Sequence, residues 1–145
     1  MKILAITKHF LTDQSQQVKF HRHIKKIENL EKSHVEIFKT MDELYTLFPE
    51  KNSLTISEMR AYLSQKYPSR DITYLMDVLD SAMAVDIGKE VTLKLIESVI
   101  EFQLANKATA ICMPIVGNQK TGGFYEGMNE ILQEYSDLVT LADRP

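Results

Sequence analysis

Cysteine is almost missing from this chain. A single Cys112 among 145 residues excludes an internal disulfide and any zinc cluster built on cysteines. Tryptophan is absent, and glycine (5) and proline (4) are scarce, which argues against a turn-rich all-β sandwich and for helices. Uninterrupted apolar runs are short: none nears the ~18 residues that read as a bilayer span, so no membrane partner is expected. The opening MKILAITKHFL has a leader-like start, but Lys8 and His9 break its apolar run and no small-residue cleavage site follows. A reducing cytoplasm is the expected location. A chain this long can bury about two-thirds of its unfolded surface, so one domain can hold its core without disulfides or metal.

What is present is ordinary in amount and uneven in placement. Hydrophobic residues make up 44% of the chain, and the net charge is −3. Residues 1–39 carry eight Lys and Arg against four acids, while the remainder carries nine against sixteen. Such a split either marks a contact for an acidic partner or nucleic acid, or solvates one helical face.

Apolar residues recur at helical spacing nearly throughout. Ile3, Ile6 and Phe10, with Leu4 and Leu11, predict a first helix of about three turns. Residues 13–33 are polar and ambiguous, with a thin stripe at Phe20, Ile24 and Ile27. The pattern clears at Val35, Phe38, Met41, Tyr45 and Phe48, backed by Ile37, Leu44 and Leu47, and Pro49 ends it. Thr55 or Ser57 can cap a short helix that faces inward with Met59, Tyr62 and Leu63, and Glu58 stands three residues after Thr55 as in a capping box. Ser69 or Asp71 can cap the next helix, over Ile72, Leu75, Met76, Leu79, Ala82 and Met83. From Lys89 to about Met113 runs the longest helical pattern, apolar over more than one narrow seam and expected to stop at Pro114. A glycine-rich turn, GNQKTGG (117–123), leads to Phe124, Met128, Ile131, Tyr135 and Leu138, whose 4-3-4-3 spacing is that of heptad a and d positions. The expected fold is all-α: a small helical head (1–85), then a long antiparallel helical hairpin (86–145) with its tip near 114–123.

Chemistry-bearing motifs fail one by one. Gly117 and Gly122 have the spacing of the first half of a phosphate loop, but Gly123 and Phe124 stand where the Lys and Ser/Thr must be. A hairpin tip fits better. His21 and His23, two apart, point to different sides of a helix and cannot share one metal as an i, i+4 pair would. Cys112 lies in an apolar helix with nothing beside it to activate the thiol. Carboxylate pairs such as Asp77/Asp80 and Glu97/Glu101 fall on polar faces. No catalytic constellation, cofactor site or metal site is therefore expected. The basic segment at Lys19, Arg22, Lys25 and Lys26 can meet phosphates or an acidic partner, yet only Phe20 is available there for base stacking.

Two long helices joined by a glycine turn hide only one side of each other. Phe124, Met128, Ile131, Leu132, Tyr135 and Leu138 are accordingly the expected self-association surface.

In order and length these parts resemble the N-terminal domain of DnaB-type replicative hexameric helicases of bacteria and phages. His34-Val-Glu-Ile37-Phe38 is similar to the family's H-x-x-I-F, and Thr55-Ile-Ser-Glu-Met-Arg-Ala-Tyr-Leu63 to its short helix after a turn. Tyr74-Leu75 with Leu79 resembles the segment before its hairpin, although Ser69-Arg-Asp-Ile72 replaces the preceding Gly-Gly. The resemblance implies a non-catalytic collar that forms homo-oligomers (a dimer or a hexamer) and docks a primase or loader during DNA replication. It also implies a longer parent whose ATP-driven motor follows this piece, in the host cytoplasm if phage-encoded. The competing expectation is a stand-alone helical regulator or adaptor that binds DNA non-specifically through residues 19–26.

Overall fold

The computed structural model describes residues 2–136, and among these the chain is all helical. Seven helices follow in order: α1 (Lys2–Thr12), α2 (Gln14–Ile24), α3 (Lys32–Leu47), α4 (Ile56–Lys66), α5 (Thr73–Met83), α6 (Lys89–Val116) and α7 (Phe124–Glu134). The chain divides into two compact units, one running to Val99 and the other beginning at Ile100, so α6 starts in the first and ends in the second.

In the first unit α1 is the central helix. It touches α2, α3 and α5, and it buries Ala5, Ile6, Thr7, His9, Phe10 and Leu11, more than one narrow stripe. Thr7 and Thr12 tolerate this setting because their hydroxyls donate back to the Ile3 and Lys8 carbonyls, at 2.8 and 2.9 Å. Phe10 meets Phe38 of α3 edge to face, with ring centroids 5.9 Å apart, the arrangement that ring quadrupoles favour. The Tyr45 hydroxyl donates to the Phe10 carbonyl at 2.6 Å, with the Leu11 carbonyl 3.0 Å away. The loop before α4 joins the same corner, since the Leu54 amide donates to the Leu11 carbonyl at 2.7 Å. From α5 the core receives Leu75, Met76, Leu79 and Ala82.

Several elements differ from their sequence reading for local reasons. The ambiguous stretch after residue 12 begins with α2, because Asp13 caps it by accepting from the Gln16 amide. Burial pushes the Asp13 carboxyl up, but the Ser15 hydroxyl and Gln16 amide that it accepts from hold it below the usual range. Of the residues expected to line α3, Val35, Leu47 and the C-cap Phe48 are exposed (48%, 59% and 47%), while Ile37 and Leu44 join Phe38, Met41 and Tyr45 in the core. The Thr55–Glu58 capping box is present in both directions. Ahead of α5, Ile72 occupies the cap position, and Asp71 instead accepts from the Thr73 amide and hydroxyl.

Pro114 does not stop α6, which continues to Val116. Lacking an amide hydrogen, it cannot donate to the Ala110 carbonyl one turn back, and the helix ends two residues after it. Its carbonyl then accepts from both the Gln119 and Lys120 amides, at 2.8 and 3.1 Å, folding the tip back on the helix end. Asn118, Gly122 and Gly123 turn the chain with positive φ of 58°, 80° and 87°, a region glycine enters freely and asparagine tolerates.

Candidate association surface

In the second unit α7 returns antiparallel along α6. Lys107 donates to both carboxylate oxygens of Glu134 at 2.8 and 2.7 Å, and the Tyr135 hydroxyl lies 3.4 Å from Gln103 Oε1. The Glu134 carboxylate accepting from Lys107 keeps the ammonium pKa above its ordinary value. Close approach has a second sign: a Cβ added at Gly127 would stand 2.9 Å from the Ile111 side chain. Gly127 is therefore a point of close approach between the two helices.

This pairing sorts the heptad residues of α7. Ile131 and Tyr135 are buried within the chain, at 5% and 1% exposure. They belong to the chain's own packing and offer no open face to another molecule. Met128 is half-buried. Phe124 and Leu132 stay open at 41% and 57%, beside Tyr125 at 80%. Leu138 lies outside the described residues, so the hairpin's second arm is described only as far as Ser136. Reasoning from sequence passed over Tyr125, which falls seven residues before Leu132 and therefore shares its face.

The first arm is the more open of the two. Phe102, Met113 and Val116 are exposed at 67%, 63% and 77%. An 18-residue window of α6 has mean hydropathy 1.2 and only 6% of it is buried. By length and composition alone α6 could cross a bilayer, a property hidden from a search for unbroken apolar runs. Glu97, Glu101 and Lys107 interrupt it too often for such a run. Cys112 is half-buried on this helix.

The basic segment occupies the end of α2. Lys19 places its ammonium 4.7 Å from the Phe20 ring centroid, and Arg22 Nε donates to His23 at 3.2 Å. Arg22, Lys25 and Lys26 are exposed, while Phe20 and His23 are buried. Phe20 is thus unavailable for stacking on a base. Cations at this position also complement the helix C-terminal carbonyls, so a local role accounts for part of the cluster. His21 bridges to Asp42 of α3, with Nε2 3.6 Å from Oδ2.

At the tip, the Gln119 and Lys120 amides point to the Pro114 carbonyl instead of forming a cradle for phosphate. No group of three or more His, Cys, Asp or Glu side chains that could hold a metal occurs among the described residues. Compared with protein-family models, with curated proteins and with solved structures, the chain finds no match.

Proposed function

We propose that this chain is a non-catalytic association module of the kind that forms the N-terminal collar of DnaB-type replicative helicases. Copies pair through the hairpin unit, and the assembly docks a primase or loader. The observation that carries this reading is the number of large apolar side chains left open on a unit of modest size. Phe102, Met113, Val116, Tyr125 and Leu132 are each more than half exposed. Several large apolar side chains left open on one small helical unit point to a contact with another molecule. The order of head and hairpin, and the residues that resemble the helicase family, select the kind of assembly. Sedimentation velocity over ~5–500 μM tests the reading, because a micromolar dimer is mostly formed at ~100 μM. Mass that rises with concentration supports it, and a monomer throughout overturns it.

A further inference from the structure

Within the second unit, α6 turns one face away from α7. Phe102, Ala105, Thr109, Met113 and Val116 follow one another at steps of three or four residues and are all exposed, so they share one side of the helix. Phe102 falls nine residues from Ile111, and Val116 nine from Lys107, which is half a turn. Ile111 and Lys107 are the residues that meet α7. Every charge among the described residues of this unit lies off the face. Glu126, Glu130 and Glu134 are carried by α7, and Lys107 turns towards α7 to bond Glu134. Glu101 stands about a quarter-turn aside from Phe102, and Lys120 belongs to the glycine turn. From residue 108 to 119 there is no Asp, Glu, Lys or Arg.

The backbone beside this face keeps its hydrogen bonds to itself, even where the helix ends. The Thr109 hydroxyl donates back to the Ala105 carbonyl at 2.8 Å. The Met113 carbonyl accepts from the Gly117 amide at 2.9 Å, that of Ile115 from Asn118 at 3.2 Å, and that of Pro114 from both Gln119 and Lys120. Asn106, at the edge, adds the only other polar side chain of the face. A protein partner is ordinarily fixed by about one hydrogen bond per 100–200 Å², and this face has little with which to make them. Lipid makes the reverse demand: apolar side chains outward and backbone groups paired internally.

We propose that this face of α6 rests on the interfacial layer of a lipid bilayer, with α7 held on the water side. The 18-residue window of α6 with mean hydropathy 1.2, of which 6% is buried, fits a helix whose surroundings are lipid. It lies along the surface and does not cross, because the three glutamates of α7 cannot follow it into hydrocarbon. The lack of an unbroken apolar run bears on crossing a membrane and not on lying upon one. With a single lysine at the turn and a net charge of −3, the chain gains little from anionic headgroups. The surface it fits is therefore zwitterionic, of the phosphatidylcholine kind. This contact goes beyond the association reading: it takes Phe102, Met113 and Val116 for lipid and leaves Tyr125 and Leu132 of α7 for pairing.

The absence of tryptophan supplies the test, since Phe102→Trp and Asn129→Trp each carry a single reporter. Asn129 is exposed and stands two residues from the buried Ile131, so it lies on the far side of α7. Phosphatidylcholine vesicles should shift the emission of Phe102→Trp to the blue and leave that of Asn129→Trp unchanged. The wild type should co-sediment with those vesicles about equally at ~50 and ~500 mM salt, because screening acts on charge and not on apolar contact. Phe102→Asp and Met113→Asp should each bind at least ~10-fold more weakly, with unchanged helical circular dichroism. A wild type that stays in the supernatant overturns the inference. Binding that needs phosphatidylglycerol and vanishes with salt also overturns it, and would belong to Lys19, Arg22, Lys25 and Lys26. A blue shift of Phe102→Trp that grows with protein concentration in the absence of vesicles means that a second copy covers the face. The lipid contact then fails and the association reading stands. A wild type that binds vesicles yet is monomeric at every concentration keeps the lipid contact and removes the association reading.

Discussion

Tyr45 shows how much one side chain can organise here. Its hydroxyl is buried against the end of α1, donating to the Phe10 carbonyl with the Leu11 carbonyl beside it. Burial pushes the phenol well above its ordinary range, with Asp13 and Glu58 adding to the effect. It therefore remains a donor at any working pH. Tyr45→Phe keeps the ring but removes that donor, which should cost about 1–3 kcal/mol, read as a lower thermal midpoint with unchanged helicity. His21 and His34 set the pH response of the first unit. Burial lowers the pKa of both, outweighing the pull of Asp42 on one and Glu31 on the other. A folded-state pKa below the unfolded value of about 6.5 means that the unfolded chain binds more protons. Their contribution is complete above about pH 6.5 and is lost as pH falls below it. The thermal midpoint should thus hold from pH 8 to about 7 and decline towards pH 5; a midpoint that rises on acidification contradicts this assignment. Asp13 and Glu36, both held below the usual carboxylate range by hydrogen bonds, extend the loss further into acid.

Among the elements, α7 separates what a repeat can and cannot say. Heptad spacing from Phe124 onwards marks a stripe, but a stripe does not name its partner. Ile131 and Tyr135 are buried within the chain, whereas Leu132, one residue away, is 57% exposed. Ile131→Asp should therefore place an unpaired carboxylate in apolar surroundings and lower the thermal midpoint sharply. Leu132→Asp should leave midpoint and circular dichroism nearly unchanged. Equal effects from the two variants would mean that α7 is packed differently. Capping is the opposite case, because Thr55 and Glu58 satisfy each other's backbone within four residues. Such a signal is local and was legible from sequence. α2 was not legible for a related reason: its core contribution is only Gln17, Phe20, His23 and Ile24, half of them polar. Gln17 hides by donating to Asp42 at 3.0 Å, a partner 25 residues away that no local pattern reveals.

For the whole molecule, the charge asymmetry bears on nucleic acid. Lys19, Arg22, Lys25 and Lys26 cluster at the end of α2, and their neighbour Phe20 is buried. Contact with DNA there would be through phosphates alone. Binding should be weak, independent of sequence, and fall steeply between ~50 and 200 mM salt as counterion release loses its advantage. Fluorescence anisotropy on two unrelated duplexes measures it. Tight, sequence-selective binding at physiological salt would favour the stand-alone regulator over the collar.

Taken by itself, the sequence determined the class of fold and some helix ends, such as the Thr55–Glu58 cap and the start at Lys89, because caps and glycine turns act within a few residues. It also led to the expectation of a hairpin with more apolar surface than its two arms can hide. Tertiary structure decided which apolar residues are open. It assigned Ile131 and Tyr135 to the chain's interior and left Phe102, Met113 and Val116 uncovered, since the face of α6 that α7 takes is fixed by packing at Gly127 and by the Lys107–Glu134 pair. Burial is a property of how helices pack against each other, and α6, apolar nearly all round, carries no pattern of its own to say which side turns in.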